Sequence, residues 1–540
     1  MKPILIALLF SLAITSYAGE VLYNGIELPN TWPPQRPEIP TREPMPVPYL
    51  ESIPAVIPID LGRQLFVDDF LIEPCTLTRT YHQATYHPAT PVLKPDKPWE
   101  TKTESKGLPA PTAMPFSDGV WYDAQEKIYK MWYMGGYVAS TCYATSNDGI
   151  HWDKPELDVV PGTNIVHTSQ RDSSVVWLDE SDTDPSRRYK LLVYESPNEA
   201  EVMSLYFSRD GIHWGERITQ TGPVGDRTTA FYNPFRGVWV YSIKDNWYDR
   251  RRRYQENPNI VDGAKWSLRE AAPWVGADRL DQRREDLDIF PQLYNLDAVA
   301  YESIMLGFFN IWYGQPNDRP KPNAICLGYS RDGFHWYRPD RRPFIGVSET
   351  PGDWNWGNVQ SVGGGCLIVG DKLYFYVSGR SGVPGSNTPA SGTSVTALAT
   401  LRRDGFVSMD ANSDEEEQIT TRPIRFTGKH LFVNVDAPNG SLRVEVLDEN
   451  REPIAPYTYA NGTQISADST CQQIRWEGVP DLSAMSGKTV RFRFHLKRAS
   501  IYSFWVSPDE RGASHGYVAA GGPGFMGPTD TVGMPPSPSR

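Results

Sequence analysis

Five Asp-Gly turns punctuate the middle of this chain at near-regular intervals, and no other feature constrains its fold as tightly. Three are close copies: Ser146-Asn147-Asp148-Gly149-Ile150-His151-Trp152, Ser208-Arg209-Asp210-Gly211-Ile212-His213-Trp214 and Ser330-Arg331-Asp332-Gly333-Phe334-His335-Trp336. A fourth is reduced to Asp262-Gly263-Ala264-Lys265-Trp266, and the fifth, Asp404-Gly405-Phe406-Val407-Ser408, has lost its Trp. The spacings from Asp to Asp are 62, 52, 70 and 72 residues. Asp-Gly favours a tight hairpin because Gly takes positive φ at little cost. A strand-turn-strand unit of this length cannot bury its apolar face alone and must stack on its copies. The pattern predicts an all-β chain built as a five-bladed β-propeller.

Within each unit an apolar strand is followed by a return strand. Gly119-Val120-Trp121-Tyr122-Asp123 returns through Tyr129-Lys130-Met131-Trp132-Tyr133, and similar pairs follow at 174–193, 230–241, 292–308 and 366–376. The propeller is expected over 61–410. A proline-rich arm or linker precedes it at 19–60, because repeated Pro is incompatible with helix or central strand. Beyond the acidic run Asp414-Glu415-Glu416-Glu417, alternating strands without the repeat predict a small antiparallel β-sandwich over 411–510. The Gly- and Pro-rich residues 511–540 are expected to form a disordered tail.

Residues 1–18 have the form of a secretory signal peptide: Lys2, an apolar run, then Ser16 and Ala18 before the expected cut. The chain is therefore expected to be secreted or periplasmic, and no later run is long enough for a membrane span. The net charge of −12 argues against nucleic acid as a partner. Cys142 and Cys326 each lie six residues before a repeat Asp, which marks them as small buried residues of two blades. The five Cys show neither a disulfide framework nor metal spacing. No metal and no cofactor is called for.

The inner strands of a propeller line its axis, and their first residues border the central funnel. Aligning four inner strands on their turns (Asp123, Asp179, Asn233, Asn295) places Phe116, Asp172, Asp226 and Asp288 seven residues upstream. Three blades thus offer a carboxylate at one depth, flanked by Arg171, Arg227 and the run Arg283-Arg284-Glu285-Asp286. Converging carboxylates suit glycosidic cleavage, in which one acid protonates the leaving oxygen and a second activates water or attacks. The alternative is that each Asp caps a strand or pairs with its neighbouring Arg. Asp172, Asp226 and Asp288 are the leading catalytic candidates. Asp69, Glu104, Glu285, Asp286 and Glu302 form a second tier, with Glu302 placed at the end away from the funnel. Arg171, Arg227 and Arg284 are candidate substrate contacts, with Trp354 and Trp356 as stacking platforms. The run of four Arg at 250–253 is either an anionic-sugar contact or one solvated strand face. His151, His213 and His335 belong to the outer hairpins and are read as structural.

The hairpins, and Arg171-Asp172 opening the second inner strand, resemble the five-bladed propeller glycosidases of glycoside hydrolase families 32, 43, 68 and 117. Ser173 stands where family 32 has Pro in its Arg-Asp-Pro motif, and the C-terminal sandwich is also similar to the family 32 layout. The resemblance implies Asp172 as transition-state stabiliser and Asp226 as acid catalyst. It also implies a nucleophile or base in the first blade, where this chain has Phe116, so that Asp288, Asp69 or Glu104 would have to substitute. The hairpins are also similar to sialidase Asp-boxes but are one residue shorter between Asp and Trp. The expectation is an exported, exo-acting glycoside hydrolase with a carbohydrate substrate. A non-catalytic glycan-binding propeller and a glycoside phosphorylase are the alternatives.

Overall fold

The computed structural model describes residues 19–36, 41–73, 75–196, 200–245 and 249–533. The expected signal peptide lies outside the described residues. The chain is all-β, and five antiparallel sheets of four or five strands follow one another from residue 113 to residue 402. Their inner strands are Val120–Asp123, Ser174–Leu178, Thr229–Asn233, Gln292–Glu302 and Leu367–Val369, each paired with the return strand that follows it. The fifth sheet takes its outermost strand, Thr85–Tyr86, from ahead of the first, so the two ends of the ring are sewn together.

The Asp-Gly hairpins hold neighbouring sheets as well as turning the chain. In the three intact copies Ser Oγ accepts from the Gly amide and Asp Oδ1 accepts from the next two amides. Asp Oδ2 meets His Nδ1 at 2.7–2.8 Å, which makes the three histidines structural as expected. Each hairpin then receives a bond from the sheet before it. Trp132 Nε1 donates to the Gly211 carbonyl, Trp274 Nε1 to the Phe334 carbonyl, and Tyr376 Oη of the fifth sheet to the Gly149 carbonyl of the first. The approach is close enough that a Cβ on Gly211 would lie 2.4 Å from the Trp132 ring, and its φ of +78° excludes most side chains independently. Trp121, Trp177 and Trp239 step edge to face across the first three sheets at 4.8 and 5.7 Å. Cys142 and Cys326 are fully buried, and the five cysteines are all free.

The second unit is a sandwich of a six-stranded and a three-stranded sheet. It takes in strands that sequence patterning assigned to the propeller: Gln64–Leu65, Thr78–Tyr81 and Val407–Ala411 all pair within its larger sheet. Phe426, Leu431, Val433, Val444, Phe492, Phe494 and Phe504 fill the space between the sheets and are fully buried. The proline-rich arm is ordered over most of its length. Ile57–Pro58 adds to the sandwich in parallel with Ile424–Arg425, and Asn24 reaches the fourth-sheet hairpin at the Arg331 carbonyl, 3.0 Å away.

Residues 511–533 overturn the expectation of a disordered tail. Tyr517–Val518 pairs with Tyr301 and Glu302 at the far end of the fourth inner strand. Ala520 then bonds to Cys366 of the fifth sheet and Tyr122 of the first. Compact glycines allow it: a Cβ on Gly516 would sit 2.1 Å from the Glu302 carboxylate.

The fifth hairpin departs from the others because its Asp faces inward. Asp404 adopts φ 59° and is fully buried. It accepts from Arg63 Nη1 at 2.9 Å, Tyr301 Oη at 2.5 Å, Ser503 Oγ at 2.7 Å and Asn434 Nδ2 at 3.1 Å. Burial raises its carboxyl, but Arg63 and Arg403 outweigh that and leave it at about 2. The pair Arg63 and Arg403 also meets Glu302, at 3.4 and 3.2 Å, and Arg403 meets Asp530 of the tail at 3.3 Å. Removing one member of such a buried cluster strands the other charges. Asp404→Ala is expected to cost roughly 3–5 kcal/mol, against about 1 kcal/mol for the equivalent Asp148→Ala on the surface. Urea unfolding of the two variants beside wild type checks the contrast.

Candidate active site

An inner strand leaves the mouth of a propeller and its return strand comes back to it, so both the first residues of one and the last residues of the other border the funnel. All five sheets contribute at that end. Phe116 and Tyr137 come from the first, Asp172 from the second, Asp226, Arg227 and Lys244 from the third, Tyr294 and Lys321 from the fourth, and Arg380 from the fifth. Mutual electrostatic influence links Asp172, Asp226, Arg227, Lys321 and Arg380 into one site.

Asp172 and Asp226 are the two carboxylates that keep access to solvent, their side chains being 31% and 33% exposed. Their surroundings differ. Desolvation and the neighbouring Asp226 raise the Asp172 carboxyl, only partly countered by Arg227, Lys321 and Arg380. At Asp226 burial also acts upward but is outweighed by Lys244, which is hydrogen-bonded to Oδ1, so the carboxyl is held low. Two chemically identical groups are thereby pushed apart, one toward the acid form and one toward the anion.

The walls are cationic and aromatic. Arg227 is fully buried, lies 4.1 Å over the Phe116 ring, donates to Ser361 Oγ and holds Nη1 3.8 Å from Asp172. Lys321 donates to Tyr294 Oη and lies 4.4 Å over that ring. Arg380 donates to Ser391 Oγ at 2.8 Å, and the Gln360 amide oxygen can accept from its Nε and Nη2 at 2.9 and 3.1 Å. Arg252 is buried beneath, bonded to the backbone carbonyls of Arg227 and Tyr294, and burial brings it down to about 9. The 250–253 run is therefore neither one solvated face nor a sugar contact along its length. Arg252 props up the mouth, Arg251 pairs with Asp249 at 3.0 Å, and Arg253 pairs with Asp245 at 2.9 Å.

Of the three leading carboxylates the fold brings together Asp172 and Asp226 and leaves out Asp288. The Asp288 side chain is fully exposed, 3.8 Å from Arg283. Its assignment failed because Asn295 is no turn. The fourth inner strand runs eleven residues, Gln292–Glu302, with a bulge at Tyr294, and its turn comes at Glu302-Ser303. Counting seven back from Glu302 reaches Asn295, which bonds to Ser117, Asp297 and Ser361 on the funnel axis.

The second tier also lies elsewhere. Asp69 is exposed and paired with Arg79 at 2.6 Å. Glu104 is exposed on the short hairpin Glu104–Ser105/Leu108–Pro109, and Glu285 is exposed on the surface. Asp286 and Arg284 pair with each other and with Arg319 and Glu349 in a surface network, so Arg284 faces carboxylates rather than the mouth. Glu302 is buried in the Arg63–Arg403 cluster at the far end. Trp354 packs edge-on to Tyr86 and beneath Gly379, while Trp356, 6% exposed, packs with Pro320 against Gly382. Both are supports behind Arg380 and Lys321 rather than free platforms.

Arg171 is diverted as well. It is bound at 2.6 Å to Asp118, a fully buried carboxylate that burial lifts to about 6. Asp118 also accepts from Ser174 Oγ, so the first blade does carry an acid two residues past Phe116, sealed beneath the mouth. Lys244 and Arg380 lie at the ends of return strands and Lys321 in the loop after one, where an alignment of inner strands does not reach, while Tyr294 sits in the bulge of the fourth inner strand. The last residues of the return strands carry the signal for the first two.

Among the described residues no helix is long and apolar enough to cross a membrane. No protein-family model matches the chain, and no curated protein matches it in sequence. Among solved structures it is similar to an N-acetylgalactosamine deacetylase from F. plautii, with 12% identity over 62% of this chain and 96% of that one and a TM-score of 0.38. It is also similar to a fructofuranosidase from Schwanniomyces occidentalis, with 13% identity over 76% and 97% and a TM-score of 0.33. A thermostable family-43 glycoside hydrolase gives 12% identity over 56% and 95%, with a TM-score of 0.38. Similarity at this distance transfers no residue roles.

Lys244 is the lever that separates the two carboxyls. Lys244→Met is expected to raise the Asp226 pKa by about one unit or more, read by carbon NMR titration of labelled aspartate side chains.

Proposed function

We propose that this chain is a glycoside hydrolase whose reaction takes place between Asp172 and Asp226. The observation that carries the reading is the opposite displacement of two solvent-accessible carboxyls at one mouth. Glycosidic cleavage needs one carboxylic acid to protonate the leaving oxygen and one carboxylate to activate water or attack the anomeric carbon. On this reading Asp172, held toward its protonated form, is the general acid, and Asp226, kept ionised by Lys244, is the base or nucleophile. The family resemblance implies Asp226 as the acid and Asp172 as the stabiliser; Lys244 is the reason the acid role moves to Asp172 and leaves Asp226 as the base or nucleophile. Arg227, 3.8 Å from Asp172, is placed to steady the carboxylate formed once the proton has left. Asp118 is excluded from contact with substrate by its burial.

The non-catalytic glycan-binding alternative draws its support from Phe116, which leaves the first blade without a carboxylate at the surface of the mouth. Sugar release from neutral, uronic and sulfated glycans, followed chromatographically, separates the two. Hydrolysis by wild type that falls roughly 10²–10⁴-fold in both Asp172→Asn and Asp226→Asn supports the enzyme. Full activity in either variant would sink that residue's role, and binding without release in wild type would favour the binder. Activity requires Asp172 protonated and Asp226 ionised. The profile of kcat/KM should therefore be bell-shaped, falling on the alkaline side as Asp172 loses its proton and on the acid side as Asp226 gains one. Lys244→Met should move the acid limb upward. Export belongs to the same proposal, and N-terminal sequencing of the protein secreted by its host is expected to begin at Gly19.

A further inference from the structure

We propose that the sugar bound against Asp172 carries an anionic substituent, a carboxylate or a sulfate, held by Lys321 and Arg380, with the buried Arg227 adding positive charge from behind. This rests on the carbohydrate reading of the mouth and names its substrate class.

Four cations, Arg227, Lys244, Lys321 and Arg380, border a mouth that holds two accessible carboxylates. Lys244 is satisfied by Asp226. The other three make no ion pair closer than 3.8 Å among the described residues, although Arg227 also lies in the field of the buried Asp118 and Asp297. Lys321 makes no ion pair among the described residues, and its bond is to the neutral Tyr294 hydroxyl. Arg380 likewise makes no ion pair among the described residues: it bonds to Ser391 and the Gln360 amide and lies 5.6 Å over the Phe116 and Tyr137 rings. Arg227 is fully buried, yet neither Nε nor Nη1 has a hydrogen-bond partner, and its carboxylate neighbour stands off at 3.8 Å.

Buried cations ordinarily pair, because an uncompensated charge in a protein interior is costly. Here like charges are instead set side by side: burial and Arg380 together lower Lys321 to about 8. A protonated Asp172 makes the surplus larger. Such an arrangement is stable once a ligand brings the missing negative charge, and charge-assisted bonds from a guanidinium and an ammonium are the strong ones for carboxylate and sulfate. Lys321 sits on the fourth sheet, next to the third sheet that carries Asp226 and Lys244, and Arg380 sits on the fifth. The anionic group would therefore lie to one side of the scissile bond. Trp356, Pro320 and Gly382 pack behind the two cations and fix their approach.

The test uses three oligosaccharides that share one backbone and end in galactose, galacturonate or sulfated galactose. They are offered to wild type, Lys321→Met and Lys321→Arg, with initial rates and calorimetric binding measured at two salt concentrations. The expected result is a preference of roughly tenfold or more for an anionic end. That preference should collapse in Lys321→Met, chiefly through KM, return in large part in Lys321→Arg, and weaken with salt. Which anionic arm wins decides between carboxylate and sulfate. Equal use of the neutral sugar by wild type overturns the proposal while leaving the hydrolase intact. Binding of an anionic sugar that depends on Lys321, without release, keeps the anionic site and removes the hydrolase. Turnover that requires inorganic phosphate, with Lys321→Met raising its apparent KM, also overturns the proposal, because phosphate would then be the occupant. Failure of all three sugars to bind overturns it as well.

Discussion

A single buried carboxylate, Asp404, joins the parts of this molecule. Its oxygens accept from Arg63 ahead of the ring, Tyr301 in the fourth sheet, and Ser503 and Asn434 in the sandwich. Burying these charges costs several kcal/mol per ion unless every lone pair and donor is met. The cluster comes close to meeting them by drawing on segments more than 300 residues apart in sequence. It can form only when propeller and sandwich have docked, and so it fixes their relation as well as their contact. The same Asp stands at the hairpin position of the repeat, and in the fifth copy alone it turns inward to these partners.

The ring was legible in the sequence because its defining bonds are local. Ser, Asp and Gly within four residues determine the hairpin whatever lies around them, and three copies at matching spacing required a stacked fold. What could not be read was pairing across long separations. Strands at 64–65 and 78–81 alternate like propeller strands, but their partners lie in the sandwich. Nor could the glycines of 511–533 be told from a flexible tail, since they are there to let backbone pass close to Glu302 and Gly62.

At the mouth the same division holds. Asp172 and Asp226 were found because two inner strands share one length from mouth to turn. Asp288 was a mistake of length, caused by a bulged eleven-residue strand with an Asn in its middle. Arg227 shares the inner-strand pattern, but Lys244, Lys321 and Arg380 are carried by return strands and a loop, where no period marks them. Under the proposed hydrolase reading they set the roles, because Lys244 holds the Asp226 carboxyl low while burial and Asp226 push Asp172 up. Carboxylate positions alone would have supported either distribution of roles.

The segment at 517–521 ties the fourth, fifth and first sheets together at the far end of the ring. It therefore crosses the seam between the last sheet and the first, and it lies more than 100 residues downstream of both. During synthesis the five sheets emerge well before the strap that spans them. A nascent chain must hold an unfastened ring, with the Glu302 side still waiting for Tyr517 and the Arg403 side for Asp530, while the whole sandwich is made and folded. The bonds that fasten the far end of the ring therefore depend on residues made after the sandwich, so truncation before Tyr517 removes them while sparing every strand of the five sheets up to residue 402.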